Sequence, residues 1–281
     1  MIEFFKMSGS GNDFILIDNR NQSLDVGDIT DFVKTVCERK VSVGADGLIL
    51  IENSDCADFR WRFFNADGSE VEMCGNGGRC AARFATIHGI AKEKLSFETQ
   101  AGIIDAEVRG DVVKLRLTDP HQMRLDFSIL IEEQPSEVSF INTGVPHVVH
   151  FVKNLDMFDV FAVGRKIRYH SEFQPAGTNA NFVESIDRHT IRVRTYERGV
   201  EDETLACGTG SVASALVCGA LGQVKSPVQV RTRGGEVLTV HFTQRNADSF
   251  SRVLLEGDTC LVFEGTLGED VWDQYKKAMS G

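Results

Sequence analysis

The sequence predicts a mixed α+β protein rather than a doubly wound parallel sheet. Three observations carry that reading. Short apolar stretches, often alternating and bounded by glycine-containing turns, recur along the chain. Helical spacing shows in only a few places. At 281 residues, the chain is long enough for two modest domains or one large one.

Taken in order, "EFFKMSGSGNDFILIDN" reads as a strand, a glycine turn and a second strand ending near Asp18. "DITDFVKTVCERK" has helical spacing through Ile29, Phe32, Val33 and Val36, with Asp28 as its N-cap. "DGLILIEN" and "DFRWRFFNADG" are strands around a turn, and "GRCAARFATIHGI" is a helix that stops at Gly89. "KLSFETQAGIIDAEVRGDVVKLRL" alternates around "AG" and "RGD" turns, as a meander does. The pattern pauses near "TDPHQM", which sets a boundary close to Thr118. The expected domains are 1–118, rejoined by 266–281, and 119–265.

Beyond the pause, "EVSFINTG" and "PHVVHFV" are strands, and "NLDMFDVFAVGRKIRYH" is helical. "NANFVESIDRHTIRVRTYERG" is a hairpin with "DRH" at its tip, followed by the small-residue helix "GTGSVASALVCGALG". "PVQVRTRGGEVLTVHF" is a hairpin around "RGG". "SRVLLEGDTCLVFEG" gives late strands, and "EDVWDQYKK" a short helix.

A formal charge of -11, with no dense Arg/Lys stripe, argues against nucleic-acid binding. No run approaches the roughly 18 apolar residues of a membrane helix, and no signal peptide is visible, so a cytoplasmic protein is expected. The seven cysteines follow no disulfide spacing, which fits a reducing compartment. Five of them, Cys37, Cys56, Cys80, Cys218 and Cys260, read as small core residues.

The other two are different. "VEMCGNGGRCAA" and "LACGTGSVASA" echo each other: a polar turn, Cys-Gly-x-Gly, then a small-residue helix. The echo places Cys74 and Cys207 at helix starts, where free amides and the helix dipole favour an anion. Such a setting can bring a thiol pKa from about 8.5 to roughly 3.5–7.5. The glycines would let the backbone approach a carboxylate. Two opposed thiols suit inversion at carbon: a thiolate removes a proton from one face and a thiol returns one to the other.

Rival readings fit less well. "CGNGGRC" is neither GxxxxGK[ST] nor GxGxxG. Cys74 and Cys80 lack metal-ligand spacing, and no histidine pattern completes a zinc site, so no metal is expected. A Cys74–Cys207 redox pair needs close helix ends. A covalent cysteine nucleophile partnered by His147 stays open, but would not need a second cysteine.

Six stretches carry a further likeness: "GNDF" (Gly11–Phe14), "GADG" (Gly44–Gly47), "FFNADGSEVEMCGNGGRC" (Phe63–Cys80), "TGVPH" (Thr143–His147), "GTNANFV" (Gly177–Val183) and "YERGVEDETLACGTGS" (Tyr196–Ser211). On these the chain resembles the diaminopimelate epimerase family, over essentially its full length. The resemblance implies two similar domains, each a curved, mostly antiparallel sheet around a central helix, with the active site in the cleft between them. It implies a cofactor-independent isomerase that interconverts LL- and meso-diaminopimelate on the route to lysine.

Carried over by motif, Cys74 and Cys207 are the acid/base pair. Gly75 and Asn76, with Gly208 and Thr209, would present N–H groups to the reacting carboxylate. Asn12, Asn65 and Asn179 would hold the substrate's polar ends. Glu197 and Arg198 match the family's "YER", with Arg198 set for the distal carboxylate, and His147 would support the reaction centre. The only implied partners are the small amino-acid substrate and a second copy in a homodimer. Two positions depart from the pattern: Val145 stands where an asparagine often contacts substrate, and Gly47 where some members place a glutamine. A racemase of another amino acid with the same two thiols is the nearest alternative. A non-catalytic amino-acid-binding protein is a third reading.

Overall fold

In a computed structural model the described residues are 2–22, 24, 26, 28–268, 270 and 271. The chain runs β1 (Glu3–Gly9), β2 (Asn12–Asp18), α1 (Ile29–Cys37), β3 (Gly47–Glu52), β4 (Phe59–Asn65), β5 (Glu70–Val71) and α2 (Gly75–Ile87). It continues through β6 (Lys94–Thr99), β7 (Gly102–Arg109), β8 (Val112–Arg116), β9 (His121–Ile131), β10 (Gln134–Asn142), β11 (Pro146–Phe151) and α3 (Val160–Arg168). The remaining elements are β12 (Asn179–Asp187), β13 (Thr190–Glu197), β14 (Asp202–Thr204), α4 (Gly208–Ala220), β15 (Val228–Arg231), β16 (Val237–Gln244), β17 (Phe250–Asp258) and β18 (Cys260–Thr266). The mixed α+β class expected from the sequence holds. The chain divides into two compact units, Met1–Leu115 with Gly257–Gly281, and Arg116–Glu256.

In the first unit, β1 pairs antiparallel with β2 and β18, and β2 runs parallel to β3. The turn from β1 to β2 puts Ser10 at φ 54° and Gly11 at φ 82°, the left-handed pair that closes a tight hairpin. The unbroken runs "FILI" and "LILI" belong to strands covered on both faces. On one side Ile15, Ile17, Leu48, Leu50 and Phe64 meet Phe32, Val33 and Val36 of α1. On the other, Phe14, Ile49 and Trp61 lie against Gly77 of α2. Asp28 caps α1 by accepting from Thr30 N.

In the second unit, β11 runs parallel to β12, which is antiparallel to β13, and β13 runs parallel to β15. Helix α4 is apolar almost all round, as a central helix must be. Its Val212, Ala213, Leu216 and Val217 share a core with Val149, Val183, Ile191, Val193, Val230, Leu238 and Val240. Helix α3 covers the other face of β12 and β13, where Val160 and Ile167 pack with Val148, Ala180, Phe182 and Tyr196.

Four expectations change. The glycine stretch is the first turn of α2 rather than a loop before it. Helix α3 starts only at Val160, because Asp159 turns its carboxylate to Ala162 N and caps it there. The eleven-residue β9 follows the pause at once; left-handed Gln122 and Asp126 interrupt its regular alternation. Cys56 and Cys260 are exposed, not core, whereas Cys37, Cys80 and Cys218 are buried and held up near pKa 12 by that burial. Apart from Asp270 and Val271, the expected "EDVWDQYKK" helix lies outside the described residues. Among the described residues no helix is long and apolar enough to cross a membrane.

Candidate active site

Each unit carries one cysteine in the same local setting. Cys74 is the N-cap of α2, with extended backbone at φ -141° and ψ 118°. Cys207 is the N-cap of α4, at φ -121° and ψ 112°. In both, the amides of the next two residues have no carbonyl one turn back to receive them. These are Gly75 and Asn76 in α2, and Gly208 and Thr209 in α4.

Around Cys74 the support is polar and layered. The Cys74 thiol accepts from Gly77 N at 3.5 Å and its carbonyl from Gly78 N at 2.8 Å. Asn76 donates to Asn12 Oδ1 at 2.7 Å, and Asn12 donates onward to Asp46 Oδ2 at 2.9 Å. Arg79 is fully buried beneath this turn. Its guanidinium donates to Asn76 Oδ1 at 3.0 Å, to Gly75 O and to Ser10 Oγ. Asn65 is exposed at the end of β4 and donates to Ser69 Oγ at 3.2 Å within its own turn.

The glycines after Cys74 have a packing role. A Cβ on Gly77 would press on Ile49, Trp61 and Phe14, and one on Gly78 on Leu115, Met73 and Phe97. Gly47 is held more tightly still: a Cβ there would strike the Phe64 carbonyl and the Phe63 ring. No longer side chain fits, so the absence of a glutamine is built into the packing of β3 on β4.

Around Cys207 the neighbours come from the ends of β13 and β14. Glu197, at the end of β13, places its carboxyl beside the Cys207 thiol and the Thr204 hydroxyl. Burial raises the Glu197 pKa. Burial also pushes the Cys207 thiol well above the ordinary range, and the Glu197 charge pushes it further. The expected depression of this thiol by its helix start is therefore outweighed by desolvation. Thr209 Oγ1 lies 3.6 Å from the Cys207 sulfur.

The other expected residues of this unit join the same patch. Asn179 donates to Pro146 O at 3.1 Å and accepts from Arg198 N at 2.8 Å. The half-buried Arg198 donates to Ala176 O at 2.9 Å. His147 on β11 is fully buried, and its pKa is lowered to about 3 by burial and by the Arg198 charge. Val145, before it, is half-buried and accepts from Thr143 N. Sequence reasoning passed over Asn181, which is wholly buried and bonded to His147. Its signal was there: an asparagine inside an apolar strand must have partners. Asp46 and Arg79 were likewise missed as second-tier supports. Among the described residues, no three His, Cys, Asp or Glu side chains form a group that could hold a metal ion.

A family model described as diaminopimelate epimerase matches residues 4–122 and 139–253. The chain is 50% identical to the diaminopimelate epimerase of Aquifex aeolicus, covering 96% of this chain and 99% of that protein. It is 48% identical to the diaminopimelate epimerase of a Hydrogenobaculum species, with 95% and 99% covered. Among solved structures it is similar to a PhzF-family phenazine biosynthesis protein of Bacillus anthracis, with a TM-score of 0.73 and 19% identity, covering 95% and 99%. That last likeness speaks for the two-domain fold alone.

Proposed function

The chain belongs to the diaminopimelate epimerase family, and from that premise we propose that it interconverts LL- and meso-2,6-diaminopimelate by two-base proton transfer at the α-carbon, with Cys74 and Cys207 as the thiolate/thiol pair and no cofactor. The observation that carries the two-thiol route is the repeated device: an extended cysteine at the N-cap of a small-residue helix, once in each unit.

Inversion needs a base on one face of the carbon and an acid on the other. One cysteine, as thiolate, takes the α-proton, and the electron pair moves into the carboxylate as an enolate-like charge. The other, as thiol, returns a proton to the opposite face and is left as thiolate. Amides of Gly75, Asn76, Gly208 and Thr209 are the donors for that developing charge. Glu197 takes the Cys207 proton when Cys207 must serve as the base. Burial and the Glu197 charge hold the Cys207 thiol up, so it rests as the thiol until that transfer. Asn12, Asn65, Asn179 and Arg198 supply amide and guanidinium groups for the substrate's remaining ammonium and carboxylate ends. On the same reading the enzyme is a cytoplasmic homodimer that takes a small amino acid and binds neither nucleic acid nor membrane.

Incubation with LL-diaminopimelate in deuterated water, without added cofactor, tests the reaction. Inversion with α-deuterium uptake is expected. No inversion and no exchange would sink the proposal, and turnover of a different amino acid in a parallel panel would redirect it. Cys74→Ala and Cys207→Ala should each abolish turnover in a folded protein; near-normal epimerisation by either refutes the paired thiols.

A further inference from the structure

Asn181 is a buried amide with a partner for each of its two N–H hydrogens and for its oxygen. Its Nδ2 donates to Val148 O at 2.8 Å, and a carbonyl oxygen can only accept. That contact fixes which end of the amide is nitrogen. The second Nδ2 hydrogen points to His147 Nδ1 at 3.1 Å. Oδ1 accepts from the Thr195 hydroxyl at 2.9 Å. Since an amide nitrogen offers hydrogens and no lone pair, His147 Nδ1 must be the acceptor.

We infer that Asn181 is a positioning residue: it holds His147 in the tautomer that carries its hydrogen on Nε2, so that the ring serves the reaction as a hydrogen-bond donor. This rests on the epimerase reading above. His147 Nε2 is buried and has no hydrogen-bond partner among the described residues. An N–H there matches an acceptor that the reaction itself supplies, a thiolate or a substrate carboxylate. The neutral ring also fits its burial, which disfavours the imidazolium.

The same amide ties the imidazole to the cysteine turn. Asn181 lies opposite Thr195 in the β12–β13 ladder and opposite Val149 in the β11–β12 ladder. Its Oδ1 fills the space a Cβ on Gly210 would occupy, and Cys207 Sγ and Thr195 Oγ1 border that space at 3.2 Å each. Gly210 is the third residue of α4, so one side chain sets both the ring state of His147 and the seat of the Cys207 turn.

Nitrogen-15 spectra of the full chain labelled in its histidines test this, with the His147 signal assigned by its loss in His147→Gln. Wild-type protein should show a pyrrole-like Nε2 and a pyridine-like Nδ1 from about pH 5 to about pH 8. A hydrogen on Nδ1, or an imidazolium, overturns the inference in the wild-type protein itself, whether or not Asn181→Asp folds. In Asn181→Asp the carboxylate can only accept, so the tautomer should invert and kcat fall at least about 10-fold, with KM moving far less. An inverted tautomer with wild-type kcat overturns the positioning role. A wild-type protein with the expected tautomer but no epimerisation overturns the functional reading instead, so the two failures are distinguishable.

Discussion

Burial raises the proton affinity of both Glu197 and Cys207, and the Glu197 charge beside the thiol raises that of Cys207 further. The thiol therefore keeps its proton, and the Glu197 carboxyl stands beside it as the acceptor proposed above.

Glu197→Gln removes that acceptor while keeping its shape. We expect kcat/KM to fall by about 10²–10⁴-fold, the usual worth of a general base. Initial rates from LL- and from meso-substrate would measure it. A Glu197→Gln enzyme at wild-type rate would leave Glu197 without a role in proton transfer.

The two helix-start cysteines differ in access and should differ in reactivity. Cys74 is half-buried, whereas Cys207 is buried with a raised pKa. Iodoacetamide at neutral pH should modify exposed Cys56 and Cys260 readily, Cys74 next, and Cys207 slowly. Raising the pH should speed Cys207 most. Peptide mass spectrometry over time reads the order, and faster labelling of Cys207 than of Cys74 would contradict it.

Gly210→Ala should destabilise the protein by about 1–3 kcal/mol, as overpacking does in a filled core. The added methyl runs into Asn181 Oδ1, Thr195 Oγ1 and Cys207 Sγ, which leave it no space. Urea titration gives the stability, and a neutral effect would mean that this corner yields more easily than its contacts imply.

His147 sets an acid limit on stability. Its folded pKa is lowered to about 3 from the ordinary 6.5, so between these values the unfolded chain binds the extra proton. Stability from this group is fully present above 6.5 and is lost as pH falls toward 3, by about 1.4 kcal/mol per pH unit. Urea titrations of wild type and His147→Gln at several acidic pH values should show a flatter dependence in the variant. Parallel curves would place the acid sensitivity elsewhere.

Much of this was legible in the residues. The echo of "MCGNG" and "ACGTG" led directly to two cysteines at helix starts, and Ser10–Gly11 announced its hairpin. What stayed hidden depends on partners distant in sequence. Gly77 and Gly78 looked like a nest for a ligand, yet apolar neighbours from β2, β3, β4, β6 and β8 require their smallness. Helix-start position foretold a lowered thiol pKa, but how deeply Cys207 is buried cannot be read from its neighbours in the chain. Asn179 was visible through its motif; the role of Asn181, two residues on, shows only in its three bonds to His147, Val148 and Thr195.

The buried Arg79 has a consequence of a different kind. A guanidinium keeps its proton at any pH a protein survives, and a charge closed off from solvent is little screened by salt. In a chain whose outer charge is strongly negative, the first turn of α2 thus sits above a permanent positive source. The field it lends to that turn, where it donates to Gly75 O and Asn76 Oδ1, is set when the chain folds. Neither the medium nor its acidity can tune it afterwards, so only mutation can change that part of the enzyme's calibration.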